Sequence, residues 1–220
     1  MDISKIIHQQ KIYFKNQQTK SVAFRKKTLQ NLRSEILKRE ADISNALYND
    51  FKKSEFESYA TEIGIVLAEL SLIIRKINTW AKPETVIPTM LNFPSWSKIY
   101  KEPFGSVLII SPWNYPFQLA IAPMIGAIAA GNTVVLKPSE LTPHTSKIIS
   151  QIIDTVFDKK HVTSIEGDVT VAQELLEQRW DYIFFTGSVP VGKIIAKAAA
   201  KHLTPTTLEL GGKSPCIIDE

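Results

Sequence analysis

Apolar positions in the first 80 residues return at helical intervals. Val22, Leu29, Leu32, Ile36 and Ile43 recur at three, four and seven residues with polar side chains between them. A second stripe runs through Phe56, Tyr59, Ile63, Val66, Leu67, Leu70, Ile73, Ile74 and Ile77. Ser54 with Glu57 three residues on has the spacing of a capping box and predicts where this second helix begins. Both stripes need a cover, so these helices pack on the remainder of the chain or on a neighbour. The texture changes between residues 81 and 103. Pro83, Pro88, Pro94 and Pro103 forbid a continuous helix and leave short extended runs, an edge strand or a hairpin. Phe93, Trp96 and Tyr100 in this connector predict that it lies against a surface.

From Gly105 onward strands and helices alternate. Ser106-Val107-Leu108-Ile109-Ile110 is a nearly all-apolar strand ended by Ser111-Pro112, and Phe117 to Ala130 reads as a small-residue helix stopped by Gly131-Asn132. Thr133 to Leu136 is the next strand, followed by a helix opened by Pro143. A weaker strand spans His161 to Ile165, with a short helix near Val171 to Gln178. Tyr182 to Phe185 is the fourth strand, Val189 to Leu203 another helix, and Thr207 to Leu210 a last short strand. Strands apolar on both faces are what a parallel sheet needs when helices cover it. The fold class is therefore α/β: a Rossmann-like open parallel sheet with covering helices, preceded by an N-terminal helical segment. The organisation reads as a helical part of the cofactor domain over 1–80, a connector over 81–103 and a β-α-β nucleotide-binding region over 104–220.

Composition narrows the partners. The 220 residues are 44% hydrophobic and 22% charged, which excludes a disordered tail. Residues 1–80 carry 14 basic and 9 acidic side chains, but these are mixed along helices rather than clustered with aromatics, so no nucleic-acid partner is expected. No apolar stretch approaches the roughly 20 residues that span a bilayer, and no secretory leader is visible, so a cytoplasmic protein without a membrane-spanning segment is expected. The single cysteine rules out an intrachain disulfide, and the four histidines show no metal-ligand spacing, so no metal site is expected.

In such a sheet ligands collect beyond the carboxyl ends of the strands. The polar residues fall there: Ser111, Pro112, Trp113 and Asn114 after the first strand, Lys137, Ser139 and Glu140 after the second, and Gly187 and Ser188 after the fourth. A nucleotide suits this set. Lys137 can donate to ribose hydroxyls or phosphate, Glu140 can accept from a ribose hydroxyl, and the helix after Gly187-Ser188 offers free N–H groups to pyrophosphate. Each also has an ordinary reading: a solvent-facing Lys137–Glu140 pair, a turn closed by Asn114, a tight turn at Gly187 with Gly192. Glu209, between two leucines and before Gly211-Gly212, is either a paired or hydrogen-bonded carboxylate, a proton-transfer group, or an edge-strand carboxylate. Cys216 in Pro215-Cys216-Ile217-Ile218 reads as the start of a buried strand rather than as a nucleophile.

These segments resemble the NAD(P)-dependent aldehyde dehydrogenases, and within them the class 3 or fatty-aldehyde branch. The resemblance is carried by Glu102-Pro103-Phe104-Gly105 with Ile110 to Phe117, Gly126 to Asn132 with Lys137-Pro138-Ser139-Glu140, Phe184 to Ser188 with Gly192-Lys193, and Leu208 to Pro215. It implies an oxidoreductase that converts aldehydes to carboxylic acids with NAD or NADP through a cysteine thiohemiacetal and thioester, on medium or long aliphatic and aromatic aldehydes. By that likeness Asn114 donates to the oxyanion, Glu209 activates the cysteine or water, Lys137 and Glu140 meet the adenosine ribose, and Gly187, Ser188 and Gly192 form the turn near pyrophosphate. Leu210 and Gly211 match the segment beside the nicotinamide. The family's nucleophile lies in a Gly-Gln-x-Cys-type segment roughly 30 residues beyond the match to Glu209. This sequence stops at Glu220, so it reads as the front half of such an enzyme, without its catalytic domain and inactive alone. A homodimer is expected of the full-length protein. The alternatives are a non-catalytic nucleotide-binding or protein-interaction module and a cysteine-dependent acyl reductase of the related fold.

Overall fold

The structure, a computed structural model, describes residues 2–219. Its first third is helical: α1 (Ile3–Lys15), α2 (Val22–Lys38), α3 (Glu40–Phe51), the one-turn α4 (Glu55–Ser58), a π-helical turn over Tyr59–Ile63, and α5 (Gly64–Trp80). The Ser54 hydroxyl accepts from the Glu57 N–H at 3.2 Å, so the helix starts where the capping pattern places it. The π-turn then changes what faces inward. It inserts an extra residue into the helical repeat, rotating everything before it relative to α5. Ile63, Val66, Leu67, Leu70, Ile73 and Ile77 are buried as the stripe requires, whereas Phe56 and Tyr59 are turned out to solvent.

Residues 81–103 form a small antiparallel hairpin of β1 (Glu84–Val86) and β2 (Ser97–Ile99), separate from the main sheet. Phe93, Trp96 and Tyr100 are exposed there, Trp96 by 92%, so the expectation that they lie against a surface fails within this chain. Among the described residues its two three-residue strands pair only with each other.

The remainder alternates as the sequence predicts: β3 (Ser106–Ile110), α6 (Gln118–Ala130), β4 (Thr133–Lys137), α7 (Pro143–Val156), β5 (Val162–Ser164), α8 (Val169–Leu176), β6 (Tyr182–Gly187), α9 (Val189–Ala200) and β7 (Thr206–Leu210). The five strands β3–β7 pair in parallel in the order β5-β4-β3-β6-β7. Alternation sorts their side chains into two cores. Val107, Ile109, Val134 and Leu136 pack under α2, α3, α5, α6 and α7. Leu108, Ile110, Val135, Ile183 and Phe185 pack under α1, α8 and α9.

Buried polar groups tie the helices to the sheet. Gln10, fully buried on α1, donates to the Val134 carbonyl at 2.9 Å. Arg25 on α2 donates to the carbonyls of Thr19 (2.7 Å), Lys20 (2.8 Å) and Ala129 (3.4 Å), linking α2 to the C-terminus of α6. That terminus is closed by Gly131 at φ +100°, a conformation that L side chains rarely adopt.

Beyond β7 the chain leaves the sheet. Gly211 to Ile218 has no regular structure and Cys216 is exposed, which corrects the reading of a buried strand. A strand needs a neighbour to take its ladder hydrogen bonds, and among the described residues none lies beside this run. Among these residues, too, no helix is long and apolar enough to cross a membrane.

Candidate functional site

The strand order creates a crevice. From β3 the chain moves outward through β4 to β5, then returns to the other side of β3 for β6 and β7. The connections leaving β3 and β6 therefore diverge, and the gap beyond their carboxyl ends is where an open α/β sheet receives a ligand. A cavity of about 940 Å³ reaches this edge and runs back along the face of β3 and β6 toward Phe104, Asn132 and Tyr182 at their amino ends. Pro112, Trp113 and Asn114 from the turn after β3, Thr186, Gly187 and Ser188 at the end of β6, and Glu209, Leu210 and Gly211 at the end of β7 all line it. Its apolar wall comes from Val107 and Ile109, from Tyr182 and Phe184, and from Leu119, Ala122 and Pro123 on α6.

The predicted residues of the second turn stand one strand over, at the same edge. Lys137 pairs in register with Ile110, and the Ser111 N–H donates to the Lys137 carbonyl at 3.1 Å. Lys137 is 3% exposed and its ammonium is paired with Glu140, so the solvent-facing reading does not hold for the lysine. Burial pushes the Glu140 carboxyl up, but hydrogen bonds from Lys137 and from its own backbone N–H, with the ammonium charge, outweigh this and hold it below the usual range. Ser139 is buried and closes its own turn, its hydroxyl accepting from the Leu141 N–H at 3.3 Å. Gly192 lies inside α9, where a side chain would run into Leu210, so it lets that helix approach the end of β7. Ser139 and Gly192 do not line the cavity, nor do Ser111, Lys137 and Glu140: Ser139 closes the turn after β4, and Gly192 seats α9 against the end of β7.

Four side chains here lack protein partners among the described residues. The Ser111 hydroxyl is buried without a hydrogen bond, directly at the end of β3. Ser188 occupies the N-cap of α9, yet its side chain makes no cap bond, so the N–H groups of Val189 and Val191 at the start of this 12-residue helix have no cap, while Pro190 has none to offer. Glu209 is exposed at the cavity wall and its carboxylate has no hydrogen bond or ion pair among the described residues; the Asn114 side chain is likewise unengaged. Gly211 and Gly212 have open space where a side chain would be. An unpartnered hydroxyl, an open helix N-terminus, a buried ammonium and an accessible carboxylate along one sheet edge fit a dinucleotide: anionic phosphates at the helix, ribose hydroxyls at the Lys137–Glu140 pair.

Pattern reading missed two residues next to this turn, Lys53 and Glu62, which form a buried ion pair at 2.5 Å. The signal was present. Glu62 falls three residues after Tyr59 and four before Val66, an acid on the apolar face of its helix.

Comparison with known proteins bears on this arrangement. The description "Aldehyde dehydrogenase family" matches residues 1–220. The chain is 48% identical over 218 residues to the 4,4'-diaponeurosporen-aldehyde dehydrogenase of Staphylococcus aureus, covering 99% of this chain and 48% of that protein. It is 44% identical over 219 residues to the mouse aldehyde dehydrogenase called dimeric NADP-preferring, again covering 48% of the relative. The substrate-bound structure of Staphylococcus aureus AldH superposes with a TM-score of 0.96 at 47% identity, covering 100% of this chain and 48% of that one. A betaine aldehyde dehydrogenase of the same organism, in complex with NAD+, gives 0.86 at 28% identity over 96% of this chain and 42% of that one. The chain thus spans about half the length of the relatives it matches. With a family match running from its first residue to its last, on a backbone this close to solved examples, the chain belongs to the aldehyde dehydrogenase family.

Proposed function

We propose that this chain supplies the cofactor cradle and the oxyanion donor of an enzyme that oxidises aldehydes to carboxylic acids with NAD+ or NADP+. The observation that carries this reading is the convergence of Asn114, Gly187, Ser188 and Glu209 on one cavity, with Lys137 and Glu140 on the adjoining strand end. When bound there, the nicotinamide supplies a hydride acceptor. The protein's own residues do the rest. Lys137 donates to the adenosine ribose and Glu140 accepts from it, while Ser188 and the open N-terminus of α9 receive the pyrophosphate. The Asn114 amide donates to the oxygen that becomes negative when a nucleophile adds to the carbonyl. Glu209, exposed on the wall of the same cavity, takes a proton from the nucleophile or from water.

Cys216 is the chain's one thiol, and it stands exposed on the irregular run after β7, outside the set of residues that line the cavity. We therefore assign the nucleophile to a part of the protein other than residues 1–220, and expect the 220-residue chain alone to show no turnover. The cavity wall, mostly aliphatic and aromatic, favours an aldehyde with an apolar body. The exposed apolar hairpin, with Ile87, Leu91 and Trp96 each more than 90% exposed, is the surface we assign to pairing of two copies.

Two measurements test this. The complete product of the reading frame, assayed with NAD+ and NADP+ on a long-chain aldehyde, is expected to reduce cofactor. Its failure with any aldehyde would remove the enzymatic reading. Calorimetric titration of the 220-residue chain with either cofactor is expected to show saturable binding, and Cys216→Ala is expected to leave it unchanged. Heat saturating with neither cofactor would remove the cradle.

A further inference from the structure

We infer that the Lys53–Glu62 ion pair is a positioning device that fixes the backbone of the Asn114 turn while leaving the Asn114 amide free for the ligand. The inference rests on the role given to Asn114 above and adds two residues, remote in sequence, through which that role is exercised.

Glu62 is fully buried in the π-turn between α4 and α5, and Lys53 is 8% exposed just beyond α3. A buried carboxylate is tolerated only when its oxygens are engaged. Here Oε1 accepts from Lys53 Nζ at 2.5 Å, and Oε2 accepts from the backbone N–H groups of Phe117 (2.8 Å) and Gln118 (3.2 Å). Those two N–H groups are among the unpaired donors at the start of α6, a helix whose own N-cap, Phe117, offers no side-chain cap. An acid from 55 residues earlier in the chain thus does the work that a local Ser or Asp usually does.

Lys53 takes hold of the other end of the same turn. Its ammonium donates to the Asn114 carbonyl at 3.4 Å and sits 4.4 Å from the centre of the Tyr115 ring. Trp113 stacks on Phe51 at 6.2 Å between ring centres. The turn is therefore gripped at Asn114, Tyr115, Phe117 and Gln118 by one charge-compensated pair, and at Trp113 by a ring from the end of α3. The Asn114 side chain takes no part in this grip and faces the cavity. Holding the backbone while leaving the amide unengaged is what an oxyanion donor requires, because it must already point at the developing charge.

Delivery of the pair follows from two local features. Lys52 ends α3 in the left-handed region at φ 59°, sending Lys53 back toward the turn. The π-turn widens the helix at Tyr59–Ile63 and aims Glu62 at α6 across the gap.

The test has two arms. In the 220-residue chain, amide hydrogen exchange is measured peptide by peptide for wild type, Glu62→Gln, Lys53→Met and Lys53→Arg. Residues 114–118 are expected to exchange about tenfold faster or more in the first two variants, with α1 and β5 unchanged, and to return toward wild type in Lys53→Arg. In the complete gene product, Glu62→Gln is expected to lower kcat by roughly 10- to 100-fold with KM for NAD+ within about twofold. On an Asn114→Ala background the same change is expected to cost less than about twofold more. Equal losses on both backgrounds, or unchanged exchange at 114–118, would overturn the inference. So would a rise in exchange spread over the whole chain in both Glu62→Gln and Lys53→Met, which marks an ordinary structural ion pair. A wild-type enzyme without activity would instead count against the aldehyde reading, and the exchange arm would then decide the grip alone.

Discussion

His161 makes the fold sensitive to mild acid. It lies immediately before β5, 3% exposed, with its ring 5.3 Å from Phe24, 5.7 Å from Phe157 and 6.0 Å from Tyr13 between centres. Its Nε2 has no partner, and burial among these rings lowers its pKa from 6.5 to about 4, against the opposing pull of the Asn132 carbonyl and the Asp158 charge. The fold thus accepts the neutral ring and resists the charged one. The unfolded chain binds this proton near pH 6.5 and the folded chain only near 4, so stability is full above the unfolded value and falls as pH drops through that interval. The loss reaches roughly 2 kcal/mol at pH 5 and about 3 kcal/mol once both states are protonated. The backbone of His161 accepts from the Val134 N–H at 2.9 Å, so the strain falls on β4, the strand that presents Lys137. Urea unfolding at pH 7.5 and pH 5.0, for wild type and His161→Phe, isolates the contribution, because every other titrating group is common to both. The wild type is expected to lose about 2 kcal/mol more than the variant between the two pH values. Equal losses would show that the imidazole is not held neutral and would refute the reasoning.

Other changes have outcomes set by the same geometry. Glu69 lies on α5 at the cavity wall, and burial alone raises its carboxyl above the usual range. Its burden is felt when it ionises, so Glu69→Gln is expected to raise Tm at pH 7.5 and leave it nearly unchanged at pH 4, as read by calorimetry. Gly131 adopts φ +100° with the Arg25 guanidinium 2.6 Å from where a Cβ would stand. Gly131→Ala is expected to lose about 2–4 kcal/mol in urea unfolding, from backbone strain and displacement of a buried arginine. Lys137→Met removes a buried ammonium at the crevice edge but keeps its apolar stem; cofactor affinity in the titration above is expected to fall by tenfold or more while Tm changes little.

The parallel sheet was legible because helices cover both faces of its centre, β3 and β4, each buried along its whole length. That demand writes unbroken apolar runs, Val107 to Ile110 and Val134 to Leu136, that no half-exposed strand would show. The strand-end turns were legible for a related reason: polar residues bunched between apolar runs have nowhere else to go. What escaped the pattern depends on events that periodicity does not encode. A single π-turn moved Phe56 and Tyr59 out of their stripe and brought Glu62 into contact with α6. Glu62 stood out as an acid on the apolar face of its stripe, but nothing in the pattern named its partners, since the contact with Lys53 crosses a helix boundary and closes on a turn more than 50 residues away. The aromatics of the β1–β2 hairpin and the run around Cys216 look buried by composition. Burial needs a covering surface, and no described element provides one for either.

Amide chemical shifts of the 15N-labelled chain during titration with NAD+ bear most directly on whether the strand-end turns form one dinucleotide cleft. Saturable shifts are expected at Ser111–Asn114, Lys137–Glu140, Gly187–Ser188 and Leu210–Gly211 together, along a single edge of the sheet. Saturable shifts confined to another face, such as the groove that Lys27, Asn31, Ser71 and Arg75 line between α2 and α5, or no shifts at these turns at millimolar cofactor, would contradict it.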